Sequence, residues 1–194
     1  MQYWLGGSDD NIEAMVRYLL GRYATSRADW LGAEGAAPIE YPDVGLYHPD
    51  LPERITTDAA DIPGPAKPVA TVGLLMMRSY VLANDTAHYD AVIRAFEARG
   101  IRCLPAFAGG LDGRPAIRDF FHTEAGVQID AMVSLTGFSL VGGPAYNDSA
   151  AAVEVLKALD VPYLAAHPLE FQTLGQWARS EQGLGPIETT MLIA

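Results

Sequence analysis

Cysteine is almost missing from this 194-residue chain, Cys103 being the only one. That excludes an internal disulfide and any multi-cysteine zinc site, and it fits a reducing cytosol. Positive charge is also scarce: 13 Lys and Arg stand against 24 Asp and Glu, a formal charge of −11. A surface of that sign repels phosphate backbones, so no nucleic-acid partner is expected. Long apolar runs are absent too. None approaches the roughly 20 residues needed to span a bilayer. The opening MQYWLGGSDD has no basic stretch ahead of an apolar one, so no signal peptide is expected. What remains is a globular composition, 49% apolar and 19% charged, with length for one core or for one domain and part of another.

The first 68 residues read unevenly. QYWLGG is strand-like and leads into a helix, where Ile12, Met15, Val16, Leu19, Leu20 and Tyr23 recur at helical spacing. Ser8 or Asp9 suits its cap, since a side-chain oxygen there accepts an orphan backbone N–H. Residues 32–68 carry many prolines and glycines, including YPDVGLYHPDLP and DIPGPAKP. They read as an irregular segment and linker with a boundary near Pro68. The expected division is 1–68, a partial N-terminal strand–helix unit with its linker, and 69–194, an α/β domain.

From Val69 the rhythm changes. VATVGLLMM is a buried-strand run, followed by a polar loop and a helix over about 86–99 that ends at Gly100, where a left-handed C-terminal cap favours glycine. IRCLPAF, IDAMVSLT and VPYLAAH supply three more strands. Helices are expected at 115–122, 150–159 and 170–180. Strands alternating with helices at this spacing give a parallel sheet with right-handed crossovers. Pro105 lies inside the second strand and cannot donate to a ladder, which points that strand to a sheet edge. The fold expected is α/β, a flavodoxin-like open parallel sheet of order 2-1-3-4 with flanking helices. The unpartnered strand–helix unit at the start and the apolar IETTMLIA at the end suggest an internal fragment of a longer protein.

In such a sheet, ligands bind beyond the carboxyl ends of the strands where the order reverses. Two loops converge there, RSYVLANDTAHYD (78–90) and SLTGFSLVGGPAYND (134–148). In the first, Asp85 suits a helix cap, and His88 sits in the first turn. The positive end of a helix keeps an imidazole neutral and able to bind metal. Arg78 has the fork that grips a carboxylate. Capping and packing explain Asp85 and His88 equally well. In the second loop, Gly137, Gly142 and Gly143 suit a ligand cradle or a plain connection. They match neither a dinucleotide fingerprint nor a P-loop, and no lysine occurs between Lys67 and Lys157. His48, with Asp43 and Asp50 nearby, fits no standard metal spacing. No Ser-His-Asp pattern is present, and Cys103 inside a strand reads as inert.

The residues also carry a family resemblance. YWLGGS, YPDVGLYHP, VGLLMMRSYVLANDTAHYDAVIRAFEARG, LPAFAGGLD, DAMVSLTGFSLVGGPA and PLEFQTLGQW resemble, in order, the large porphyrin-binding subunit of the magnesium chelatases. The related cobaltochelatase large subunits have a similar layout. The resemblance implies insertion of Mg²⁺ into protoporphyrin IX on the way to (bacterio)chlorophyll, with ATP hydrolysed by two motor subunits. It implies a location in the cytoplasm, or in the chloroplast stroma for a plant-type source. Family large subunits are several times longer, and their glutamate-bearing stretch around Thr-His-Gly is absent here, so the isolated fragment is expected to be inactive. Metal insertion removes two pyrrole protons and strips water from Mg²⁺, tasks for carboxylates and neutral histidines. On that basis Asp43, His48, Asp85 and His88 are metal candidates. Arg78, Tyr80, His88, Gly137, Phe138, Gly142, Gly143 and Tyr146 are porphyrin-binding candidates, and no catalytic residue is assigned. The alternatives are a cobaltochelatase fragment and a non-catalytic flavodoxin-like binding or scaffold domain.

Overall fold

The structure is a computed structural model that describes residues 1–24, 36–143, 146–167, 169 and 171–193. The first part of the expected irregular segment, Pro144 and Ala145, and the expected start of the last helix at Glu170 lie outside these residues. The chain divides into two compact units, Met1–Asp43 with Arg78–Ala87, and Val44–Met77 with His88–Ala194.

The first unit opens on helices α1 (Gln2–Gly6) and α2 (Asp9–Tyr23). QYWLG is therefore a helix and not a strand. A five-residue stretch with only Tyr3, Trp4 and Leu5 apolar carries no periodicity to separate the two, and here it closes on Gly7 in the left-handed region, φ 64°. Ser8 caps α2 as expected, its hydroxyl accepting from the Asn11 N–H. The apolar stripe expected on α2 is largely in solvent, with Val16, Leu19 and Tyr23 exposed. Its buried positions are Asn11 and Ala14. Asn11 donates to the Ile39 carbonyl and accepts from the Ile39 N–H, both at 2.8 Å, pinning an extended segment to the helix.

The second unit holds a six-stranded sheet. Strands β1 (Val44–Tyr47), β2 (Ile55–Thr56) and β3 (Ala70–Met77) come first. Helix α3 (Arg78–Leu82), in the first unit, takes the place of the polar loop expected there, and α4 (Ala87–Glu97) leads to β4 (Ile101–Ala108). A short α5 (Arg114–Ala116) runs into a π-helical turn at Ile117–Phe121. Strands β5 (His122–Thr123) and β6 (Gly126–Val127) form a small hairpin ahead of β7 (Ala131–Ser134). A second hairpin, β8 (Gly142–Gly143) with β9 (Tyr146–Asn147), precedes α6 (Ser149–Leu159). The described chain finishes with β10 (Tyr163–Ala165), α7 (Leu174–Arg179) and α8 (Pro186–Ile193).

The sheet order is β10-β7-β3-β4-β1-β2. The four expected strands are β3, β4, β7 and β10, parallel throughout and in the order 2-1-3-4. Two expectations are corrected. Residues 44–68 are not all linker, because β1 and β2 extend the sheet antiparallel beyond β4. The second strand is therefore interior. Pro105 is accommodated because the β1–β4 register runs from Val44↔Ala108 to Leu46↔Ala106 and stops one residue short of it.

One face of this sheet packs Leu75, Leu104, Ala106 and Met132 against Ile117, Phe120 and Phe121 of the π-helical turn and Leu159 of α6. Each such side chain contributes about 1.5–3 kcal/mol on burial. The other face meets α4, whose Tyr89 and Ile93 are fully buried.

Candidate functional site

The carboxyl ends of β3, β4 and β7 open into a shallow pocket that encloses about 20 Å³. Its floor is Leu75, Met76 and Met77 from the end of β3. One wall is the loop after β4, Gly110–Gly113, and the other is Thr136, Phe138, Ser139 and Leu140 after β7. This is the reversal point of the strand order, where an open α/β sheet leaves a crevice because consecutive crossovers depart to opposite sides.

The two walls are tied together. The Gly113 N–H donates to the Leu140 carbonyl at 3.0 Å, and Asp112 bridges Val141 in antiparallel fashion. Gly137 takes φ 72°, a turn that favours glycine, and delivers Phe138 to the pocket. Ser134, Thr136 and the Phe138 backbone brace the turn through the Thr136 hydroxyl. At the rim, Arg114 grips Asp112 with Nε and Nη2, at 2.6–3.0 Å. That guanidinium holds the Asp112 carboxyl below the usual carboxylate range. The lining is mainly apolar, with Asp112, Thr136 and Ser139 as its polar groups.

The other sequence candidates distribute as follows. Asp43, Arg78, Tyr80 and Asp85 belong to the first unit. Arg78 donates from Nε to the Pro42 carbonyl at 2.8 Å and from Nη2 to the Tyr41 carbonyl at 3.0 Å, with the exposed Asp43 carboxylate 3.8 Å away. Its fork thus holds the extended segment 41–43. Asp85 is exposed and does not cap α4, which begins after the buried Thr86.

His48, His88 and the glycine-rich loop belong to the second unit. His88 is exposed and stacks near the Tyr89 ring, 3.9 Å between centroids. His48 is fully buried. Its Nδ1 accepts from the Asp50 N–H at 3.2 Å, which fixes the tautomer, so Nε2–H donates to Glu97 at 3.1 Å. Arg94 bridges Asp50 and Glu97, closing a network that ties the β1–β2 connection to α4. Among the described residues no group of three or more His, Cys, Asp or Glu is gathered to hold a metal ion.

Gly142 has φ 103° and is crowded by the Tyr146 carbonyl, so glycine is required where β8 meets β9. Tyr146 itself is exposed. Cys103 is buried, and desolvation pushes its thiol up to about 12, which keeps it protonated and inert. The wall at 110–113 is not among the residues that the sequence singles out for a site. Its sign there is AGGLDG, a glycine-rich turn directly after a strand at the same sheet edge.

A mostly parallel sheet flanked by helices, with an apolar pocket over its carboxyl edge, defines an α/β domain. The chain belongs to the CobN/Magnesium Chelatase family, whose sequence description matches residues 1–194. It is 73% identical over 194 residues to the magnesium-chelatase H subunit of Cereibacter sphaeroides, covering 100% of this chain and 16% of that protein. It is 38% identical over 213 residues to the chloroplastic magnesium-chelatase subunit ChlH of Oryza sativa subsp. indica, covering 100% of this chain and 15% of that protein. Among solved structures, the catalytic subunit of cobaltochelatase from Mycobacterium tuberculosis superposes with a TM-score of 0.65 at 27% identity, covering 96% of this chain and 14% of that one. The chain therefore spans about one sixth of the length of the curated relatives it matches. Among the described residues no helix is long and apolar enough to cross a membrane.

Proposed function

We propose that this chain is a segment of the large, porphyrin-binding subunit of a magnesium chelatase, the enzyme that inserts Mg²⁺ into protoporphyrin IX. The observation that carries this reading is the 73% identity along the whole chain to a magnesium-chelatase H subunit. The 27% identity to a cobaltochelatase catalytic subunit leaves cobalt insertion as the weaker choice of metal. In this reading the pocket over β3, β4 and β7 receives one edge of the tetrapyrrole. Its enclosed space has room for only a water molecule or two, so it does not enclose the macrocycle and can receive no more than an edge of it.

Phe138 and Met77, both partly exposed, offer apolar contact to a ring edge. Proton removal and metal delivery require carboxylates or neutral imidazoles. Of the candidate carboxylates and imidazoles, Asp43, Asp85 and His88 lie at the surface, while the buried His48 serves the scaffold. Mg²⁺ and protoporphyrin IX are the substrates. ATP is hydrolysed by two motor subunits, which with the tetrapyrrole are the partners. The work takes place in the cytoplasm of a bacterium or the stroma of a plastid.

The test is to substitute this chain for the matching segment of the Cereibacter sphaeroides large subunit and assay Mg²⁺ insertion with the motor subunits present. Insertion at a rate near that of the parent supports the reading. A folded, assembled hybrid that inserts no metal refutes it.

A further inference from the structure

The outer edge of β10 is open. This strand pairs with β7 on one side only, from Tyr163↔Met132 to Ala165↔Ser134. The Met132 N–H donates to the Pro162 carbonyl, and the Ala166 N–H donates to the Ser134 carbonyl. Backbone groups alternate sides along a strand, so residues 162, 164 and 166 face β7. The N–H and C=O of Tyr163 and Ala165 therefore face away. Among the described residues no strand pairs with them. Tyr-Leu-Ala has no charge, proline or bulge, the devices that normally guard an exposed edge.

A second observation points the same way. The register places Leu74, Val133 and Leu164 side by side on one face of the sheet. Under α4 that face is closed, and Leu74 is 0% exposed. Val133 is half-buried, and Leu164 is 57% exposed. On the opposite face the same two strands are packed: Met132 is fully buried, and Tyr163 lies against the core with Val155 and Leu156 of α6. The exposure of Leu164 is thus more than an edge effect, because one layer of covering residues is missing from one face.

We propose that the outer edge of β10 receives a further parallel strand from the same, longer polypeptide, and that the element after it lies over Val133 and Leu164. The parallel order 2-1-3-4 extends naturally to 2-1-3-4-5. A parallel strand needs a crossover of a dozen or more residues, usually helical, and α7 and α8 follow β10. The occupant is assigned to the same polypeptide because the curated relatives are about six times longer than this chain. The inference rests on reading the chain as a segment of such a subunit.

Hydrogen exchange on the full-length polypeptide, resolved at residues 163–166, tests this. The Ala166 amide, bonded to Ser134, is the internal reference. The Tyr163 and Ala165 amides are expected to be protected to within about tenfold of it. Their exchange at unprotected rates while Ala166 remains protected overturns the proposal. So does protection that appears only as protein concentration rises, which assigns the edge to a second copy. A second arm is Ala165→Pro in the same polypeptide. It removes an N–H that a solvent-facing edge does not use, so a lowered melting temperature supports pairing and an unchanged one contradicts it. Isolation from cells of a polypeptide no longer than this chain refutes the segment reading itself, a failure distinct from unprotected amides in a long chain.

Discussion

Gly113→Ala tests how tightly the two pocket walls are joined. A Cβ at Gly113 would lie 2.7 Å from Leu75 Cδ2, 3.2 Å from the Leu140 carbonyl oxygen and 3.3 Å from Leu140 Cδ1. The backbone there has φ −76°, which alanine adopts freely, so the effect is steric and not conformational. Leu75 is 2% exposed, and the Leu140 carbonyl is backbone that cannot rotate aside. Overpacking of this kind costs about 1–3 kcal/mol. Displacing the Leu140 carbonyl also weakens the 3.0 Å bond from the Gly113 N–H, a loss of up to about 1 kcal/mol. Restriction of the unfolded chain by alanine offsets about 0.4–1 kcal/mol. At mid-range values the net expectation is destabilisation by about 2 kcal/mol. It should be read as a lower urea midpoint at unchanged slope. Leu75→Val removes the nearest atom, so the double variant should recover part of the loss through a coupling of about 0.5 kcal/mol or more. A Gly113→Ala protein within about 0.5 kcal/mol of the parent, or strictly additive substitutions, would refute the packing described for the pocket.

Two further outcomes are expected. Asp112→Asn removes a carboxylate whose pKa is depressed by the Arg114 guanidinium. Its stabilisation is present above the unfolded value of about 3.9 and is lost as pH falls through the folded value. The pair is exposed, Asp112 at 37% and Arg114 at 50%, so the loss at neutral pH is only about 0–1 kcal/mol. Urea midpoints of parent and variant should converge on acidification and in high salt; a difference that grows in acid contradicts the assignment. Cys103, with its thiol pushed up to about 12 by burial, should resist a thiol reagent in the folded protein at pH 8 and react fully once urea unfolds it. Rapid labelling of the folded protein would contradict the burial.

The parts of the fold legible in the sequence are those with a continuous physical signature. β3 and β4 are interior strands, so both faces are covered and each reads as a near-continuous apolar run, broken only near its start by Thr71 or Arg102. Helix α4 ends at Glu97, three residues before the terminus expected at Gly100, and the chain turns out of it through that glycine, φ 74°. The N-terminal run is ambiguous because three adjacent apolar residues, Tyr3–Leu5, show neither a two-residue nor a 3.6-residue period. Strands β1 and β2 are hidden by their lengths, four and two residues inside a proline-rich stretch. Their place in the sheet comes from long-range pairing with β4, which no local pattern encodes.

At the site, Phe138 and its glycine turn are legible from their place after a strand at the switch point. The second wall is not, because AGGLDG holds a single titratable group, Asp112, and its bond to Leu140 joins segments far apart in the chain. Arg78 reads as an anion fork, and it does grip oxygen. Its partners are the backbone carbonyls of residues 41 and 42, which sequence spacing cannot reveal.

The central claim is that this chain is a working part of a magnesium chelatase large subunit, with the Phe138 wall in contact with the tetrapyrrole. The most direct measurement is Mg²⁺ insertion by the hybrid large subunit carrying this chain, alongside the same hybrid with Phe138→Ala. Insertion is expected from the first, and from the second a raised KM for the porphyrin with the urea midpoint preserved. A folded hybrid without insertion, or a Phe138→Ala hybrid with an unaltered porphyrin KM, would contradict it.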